Sequence, residues 1–442
     1  MALKDTIVSI QRLDLDLPPS CVEFCPAYPS YFLVGTYNLQ REDSVPAGDV
    51  PEEDEEHVRD HQDTAQYQLP SAPRRPQSRN GSIILFEIAG GKAIPIQTVS
   101  QPSAILDLHF QPSCGSEDVC GVVSSTGTIS LLRLSQPHSD DFASSTTTHP
   151  SLLLLASLRL PGVGEDVLFT SMAWHPTAAN VLAATTSTGQ VIMAKLRMHR
   201  DNCTFDAVPA ASPLLTHTLE AWCVAFSIET KAAGQKEYFT LYSGGDDSTL
   251  RYVSGAVGDS VEEEHGERLP LELPYAAAKV DGHGAGVTAI LPLSATTAAG
   301  ARLVVTGSYD DIVRVYSIMP LGETYGMRNA KLVAELNLGG GVWRLRLIRE
   351  LSINHEGTGR RGVTATILVS CMHAGARIVE VCADTGDSAE CSIAVLGRFE
   401  EHKSMNYGSD FQPGPAENKA LLCVSSSFYD KLLCLWNFSI PE

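Results

Sequence analysis

Basic residues are scarce. The 442-residue chain has 32 Lys and Arg against 52 Asp and Glu, a formal net charge of −20. A nucleic acid is a polyanion that wants a Lys/Arg surface, so none is expected as a partner. The same surplus favours solubility and attraction to a basic partner. Part of it is local, since PEEDEEHVRD (51–60) is one acidic run. Long apolar runs are also missing: no window approaches ~18 uncharged apolar residues, so no membrane span is expected. MALKDTIVSIQRLDLD has no unbroken apolar core and no small-residue cleavage site, so no secretory signal is read. The 11 cysteines are scattered, mostly inside apolar runs. Free buried thiols in a reducing compartment fit them better than a disulfide framework, and a cytoplasmic location is expected. Cys21 and Cys25 form a CxxxC pair with no second ligand pair nearby, so neither a metal site nor a cofactor is expected. A GxSxG elbow, an HExxH pair and a GxxxxGK[ST] phosphate loop are all lacking.

What the chain does have is enough hydrophobic residues for a sizeable core, 43% against 19% charged. It also has a repeat. SYFLVGTYN (30–38), DVCGVVSSTGTISLLRL (118–134), NVLAATTSTGQVIMAKL (180–196), YFTLYSGGDDSTLRYV (238–253), LVVTGSYDDIVRVYSI (303–318), TATILVSCMHAGARIVEV (364–381) and ALLCVSSSFYDKLLCLWNF (420–438) share one plan. An apolar run meets a turn-prone tetrad, then a second run follows, which is the mark of a tight antiparallel hairpin. The turn centres Ser125, Ser187, Asp246, Tyr309, Met372 and Phe428 step by 62, 59, 63, 63 and 56 residues. A further short strand precedes each hairpin: CVEFCP, ILDLHF, FTSMAWHP, WCVAFSI, VTAILPL, VWRLRLI and NYGSDF. With one more β-rich run before most of these, the pattern predicts an all-β fold, a seven-bladed WD-repeat β-propeller.

A ring of blades leaves one strand unpaired unless both termini share a blade. TIVSIQRLDL (6–15) is apolar enough to supply the outer strand of the last one. Residues 1–442 are therefore read as one propeller domain. The surplus over a repeat of roughly 40–45 residues falls in loops. The acidic, Pro-rich stretch 41–80 reads as a disordered insertion in the first blade, and 135–150 as a polar loop.

Turn aspartates such as Asp246, Asp247, Asp310 and Asp311 read first as structural, because Asp caps its own turn. His217 and His283 stand where a blade histidine would pair with them.

Several segments are more particular than a generic blade. EAWCVAF…YSGGDDSTLR (220–251), HGAGVTAI…TGSYDDIVRVY (283–316), GGGVWRLRL (339–347), SCMHAGARIVE (370–380), EEHKSMNYGSDF (400–411) and SSSFYDKLLCLW (425–436) follow in that order. Together they resemble the diphthine methylesterase family, WD-repeat proteins of diphthamide biosynthesis. The likeness spans nearly the whole chain apart from the two polar insertions. It implies a carboxylic ester hydrolase that removes the methyl ester from a modified histidine of translation elongation factor 2, giving diphthine. It implies that factor as protein partner, and a monomer is expected. The competing expectation, from fold alone, is a non-catalytic scaffold.

Such a reaction needs a base, an attacking group and donors for an oxyanion. The implied substrate also carries a trimethylammonium, which is received by aromatic faces and carboxylates. Trp222 and Trp343 each open an innermost strand and Tyr407 stands at the matching point of the last blade, so these three are candidate substrate-binding residues. His402 is the leading candidate base, with Ser404 as a possible nucleophile and Glu220 and His283 as further catalytic candidates. His402 reads equally well as the last blade's structural histidine, partnered by Asp430. Gly340 and Gly341 would let a ligand approach the backbone closely or supply oxyanion N–H groups; a plain tight turn accounts for them equally well.

Overall fold

The computed structural model describes residues 7–39, 78–112, 115–135, 150–199, 204–229, 237–258, 268–354, 361–386, 390–414 and 420–441. Every regular element among them is a β-strand, and the strands form seven antiparallel sheets of four or five strands. The seven innermost strands are Pro19–Phe24, Ile105–Phe110, Phe169–Trp174, Ala221–Glu229, Val287–Thr296, Arg344–Asn354 and Ser409–Phe411. Each packs beside the next, and the seventh returns to the first, so the sheets are blades of a closed propeller. We number the blades one to seven in that order.

Closure follows the expected route. Ser9–Asp14 pairs antiparallel with Leu432–Ser439, which makes blade seven from both ends of the chain. Leu13 packs into the core between blades seven and one. Arg12 and Ser9 also bond Glu401, at 2.7 and 2.5 Å. Each blade keeps one short inner edge, and the ring of neighbouring blades shelters it along the channel.

Packing is organised between blades. Seven buried apolar clusters are found among the described residues, one between each adjacent pair of blades. Strand alternation explains this, because each blade has two faces and both are covered by neighbours. Trp436 and Trp174 are core, as their apolar settings predict; Trp436 is fully buried and stacks on Phe399 at 5.1 Å. Burying a ring of that size stabilises the fold by about 3 kcal/mol or more. Gly244 and Gly307 stand at one equivalent place in blades four and five. A side chain there would run into Val287 or Val342 of the next blade.

The polar segments expected at 41–80 and 135–150 lie mostly outside the described residues. The final two residues of the first, Arg79 and Asn80, already stand in the strand Arg79–Ala89, which pairs with Tyr31–Thr36. The cysteines described are free, and most are buried. Burial pushes the Cys21 and Cys371 thiols up to about 12, which keeps them protonated and unreactive.

Candidate functional site

The innermost strands all start at one end of the ring, and there the chain gathers aromatic rings. Trp222 of blade four and Trp343 of blade six have centroids 5.8 Å apart. Tyr309, from the central turn of blade five, sits 6.4 Å from Trp222 and 5.8 Å from Trp343. Tyr407, just before the inner strand of blade seven, lies 4.9 Å from Trp343. Phe428 extends the group from Tyr407 toward Tyr37 of blade one. All of these rings are half-buried. Trp222, Trp343 and Tyr407 thus meet, as expected from their positions at the starts of inner strands.

Carboxylates stand beside the rings. The Trp222 indole N–H donates to Asp246 Oδ1 at 3.1 Å. Burial, and after it the neighbouring Tyr407 phenol and the Asp246 and Glu220 carboxylates, push Tyr309 above the ordinary phenol range. Asp246 N–H donates to the Glu220 carbonyl at 2.8 Å, which ties the two acidic residues together. π-faces with nearby negative charge suit an organic cation.

Below the mouth, the channel holds a cavity of about 320 Å3 lined by all seven inner strands. Its walls carry an ion-pair network. His109 Nδ1 meets Glu23 at 2.5 Å and its Nε2 meets Asp107 at 3.3 Å. Arg344 reaches Asp107 at 2.7 Å; Arg346 reaches Asp410 at 2.9 Å and Glu23 at 3.4 Å. Alternation places them: Arg344 and Arg346 face the lumen while Leu345 and Leu347 pack on the core. Asp107 and His109 likewise face inward while Leu108 and Phe110 are core. Burial opposes charge on His109, yet the two carboxylates outweigh it and raise its pKa to about 10. Burial likewise opposes charge on Asp107, yet Arg344 and His109 hold it well below the usual carboxylate range. Burial raises Asp410 above the ordinary carboxylate range against the pull of Arg346, and the network as a whole spans blades one, two, six and seven.

The other expected residues are placed elsewhere. His402 is buried within blade seven, with Nε2 at 2.8 Å from Ser425 Oγ and its ring edge-on to Phe399. Burial lowers its pKa to about 4, too low for an efficient base near neutral pH. Its hydrogen-bond partner is Ser425 rather than Asp430. His283 is similar: buried in blade five, bonded to Thr306 at 2.9 Å and lowered to about 4 by burial. Ser404 Oγ accepts from Tyr429 N–H at 2.8 Å and from Ser427 Oγ at 3.3 Å, so it ties a loop to the turn of its own blade. Gly340 and Gly341 pack against the Cys371–Ala374 turn; a side chain at Gly340 would strike the Cys371 carbonyl, and one at Gly341 the Met372 sulfur. His217 does pair with a turn aspartate, Asp247, at 2.9 Å. Asp310 caps Gly284 N–H at 2.7 Å and binds Arg314, while Asp311 takes the left-handed turn position at φ 68°. Among the described residues, no group of His, Cys, Asp or Glu has the arrangement to hold a metal ion.

No protein-family model matches the chain. Curated relatives do. The diphthine methyltransferase of Schizosaccharomyces pombe is 26% identical over 333 residues, covering 75% of this chain and 78% of its own. That of Saccharomyces cerevisiae is 26% identical over 366 residues, 75% of this chain and 83% of its own. The diphthine methyltransferase homolog of Dictyostelium discoideum is 22% identical over 441 residues, 96% and 97% of the two chains. These relatives support a place in the diphthamide-biosynthesis family. The expectation of a carboxylic ester hydrolase is thereby corrected: the relatives are named for methyl transfer, a different enzyme class. Among solved structures, Sqt1 of Saccharomyces cerevisiae superposes with a TM-score of 0.51 at 10% identity, covering 99% of this chain and 100% of its own. Sqt1 of Chaetomium thermophilum bound to the N-terminus of ribosomal protein L10 gives 0.50 at 13% identity, covering 95% and 85%. At that identity the likeness speaks for the propeller fold alone.

Proposed function

We propose that this protein acts at the diphthine methylation stage of diphthamide biosynthesis, with the modified side chain of translation elongation factor 2 as its substrate. The observation that carries the reading is the ring cluster of Trp222, Tyr309, Trp343 and Tyr407 at the channel mouth, with Asp246 bonded to Trp222. A trimethylammonium has no N–H to offer a hydrogen-bond acceptor, so its recognition rests on π-faces and on carboxylates at a distance. The relatives' name supplies the stage. The net charge of −20 adds long-range attraction for a basic surface on the partner.

Two measurements test this. The first removes the protein from cells and weighs the modified histidine peptide of elongation factor 2 by mass spectrometry. The expected result is arrest of the modification at an intermediate short of diphthamide; normal diphthamide overturns the reading. The second compares binding of elongation factor 2 with and without the methylated side chain. Tighter binding of the modified factor is expected, whereas a plain adaptor binds both forms alike.

A further inference from the structure

A side chain that enters the mouth brings its own backbone to the rim, so the protein that carries it rests on some sector of that rim. The rings mark one sector. From Tyr407 the contacts run outward to Phe428, with centroids 5.3 Å apart. Phe428 in turn meets Tyr37 of blade one at 6.1 Å and Tyr429 at 5.1 Å. Tyr429 stands at the outer end of this row and is 69% exposed. Among the described large apolar side chains only Tyr325 and Met327 are as exposed, and they lie in the loop after Ile312–Ile318, at the opposite end of the ring.

The ridge is held in place by its backbone. Phe428 N–H donates to the Met405 carbonyl at 2.9 Å, and Tyr429 N–H to Ser404 Oγ at 2.8 Å. Lys431 closes the turn in the left-handed region at φ 54°, and its N–H donates to the Phe428 carbonyl. The Tyr37 hydroxyl accepts from Arg79 Nε at 2.7 Å. An exposed aromatic ring on so fixed a turn loses little freedom when it is covered, which is the character of an interface anchor. Its surroundings are cationic, in a chain of net charge −20. Arg79 stands beside Tyr37, Lys431 follows in the turn, and Lys403 N–H reaches Asp430 Oδ2 at 3.4 Å. Asp430 is the one carboxylate that the turn itself carries.

We propose that the ridge of Tyr37, Phe428 and Tyr429, on the rim of blades seven and one, is the docking surface for the partner loop that brings its side chain to the mouth. The loop it fits is apolar and carries an acidic residue, set against Lys403 and Lys431. This rests on elongation factor 2 being the partner, and adds the sector of the rim on which its main chain lies. The continuity of the ring contacts from the mouth to Tyr429 carries the choice of sector.

The test measures binding of purified elongation factor 2, with and without its modification, to the full chain and to three variants. Tyr429→Ala should weaken both forms of the factor at least tenfold. Lys403→Glu should weaken both by threefold or more. Tyr325→Ala, at the far end of the ring, should change neither. Tetramethylammonium, titrated by Trp fluorescence, should bind all four proteins alike. Tyr429 and Lys403 are exposed, and equal thermal unfolding midpoints confirm that each variant is folded; should one fail, the other decides. Full affinity for the factor in both rim variants overturns the ridge and leaves the proposed function standing. A parent protein that binds neither form of the factor overturns both. Loss of tetramethylammonium binding in Tyr429→Ala would make that ring part of the cation mouth and overturn its docking role. An equal loss in Tyr325→Ala would mean that no one sector is favoured, and also overturns it. Light scattering covers the remaining occupant: a dimer of this chain that Tyr429→Ala dissociates would assign the ridge to a second copy instead.

Discussion

Asp246 and Asp247 are consecutive in the chain and serve opposite ends of one blade's chemistry. Asp246 accepts from the Trp222 indole at the channel mouth, at 3.1 Å. Asp247 turns into the blade, where it meets His217 at 2.9 Å and caps Thr218 N–H at 3.0 Å. Asp247→Ala leaves the His217 ring without its acceptor inside the blade, at a cost of about 1–3 kcal/mol. Asp246→Ala frees only a half-buried indole N–H, which water can satisfy, so its stability cost is below about 1 kcal/mol. The expected outcome is a double dissociation. Thermal unfolding separates the first variant from the parent protein, and binding of modified elongation factor 2 separates the second. Equal loss of stability in both would refute the division of labour.

Trp343 touches three other rings of the mouth, more than Trp222 or Tyr407 does among that group. Trp343→Ala should weaken cation binding by tenfold or more, since each desolvated cation–π contact contributes about 1–2 kcal/mol. Trp343→Phe keeps a face and should lose less. The ring is half-buried, so the fold should survive either change. Tetramethylammonium titration by fluorescence checks it, using Trp222 as the remaining reporter in the mouth. Unchanged affinity in Trp343→Ala would place the cation elsewhere.

The ring of blades was legible because its signals are local. Hairpins announce themselves by turn residues between apolar runs, and seven such turns at a steady step admit few other folds. The closing strand was legible as well, since Ser9–Asp14 lies inside the apolar stretch 6–15. Trp222, Trp343 and Tyr407 could be grouped because they hold one place in three repeats. Tyr309 and Asp246 were missed for the opposite reason: they sit in turn tetrads, SYDD and GGDD, where turn chemistry explains every residue. The channel network was missed more completely. Glu23, Asp107, His109, Arg344, Arg346 and Asp410 each look like one stray charge in an apolar strand. A signal existed, namely charges two residues apart on one strand face in LDLHF and WRLRL. Only closure of the ring shows that the acids of blades one, two and seven meet the bases of blades two and six. His402 misled because its neighbours in sequence, Ser404 and Glu401, point to other partners in space.

His402→Ala should behave as a packing change. The ring fills a buried site against Phe399, and its Nε2 bonds Ser425. Removing it should destabilise the protein by about 1–3 kcal/mol, from lost packing and an orphaned hydroxyl. Affinity for tetramethylammonium at the mouth should not change. The check is a chemical unfolding midpoint beside a binding isotherm. Lost binding in a variant of unaltered stability would return His402 to the site.

His109 gives the fold a dependence on alkaline pH. Its pKa in the folded chain, about 10, lies above the ordinary 6.5, so protonation favours the folded state. That contribution is whole below pH 6.5, where the unfolded chain is protonated too. It declines as pH rises from there and is gone above about 10, leaving Glu23 and Asp107 facing a neutral ring. Stability of the parent protein should therefore fall between pH 7 and 10. In His109→Gln the buried charge is lost at every pH, so the variant should be less stable at pH 7, and its decline over the same interval should be shallower. Unfolding curves of both proteins at pH 6, 8 and 10 decide it. Parallel slopes would mean that His109 is neutral in the folded channel and that its contacts with Glu23 and Asp107 are not ion pairs.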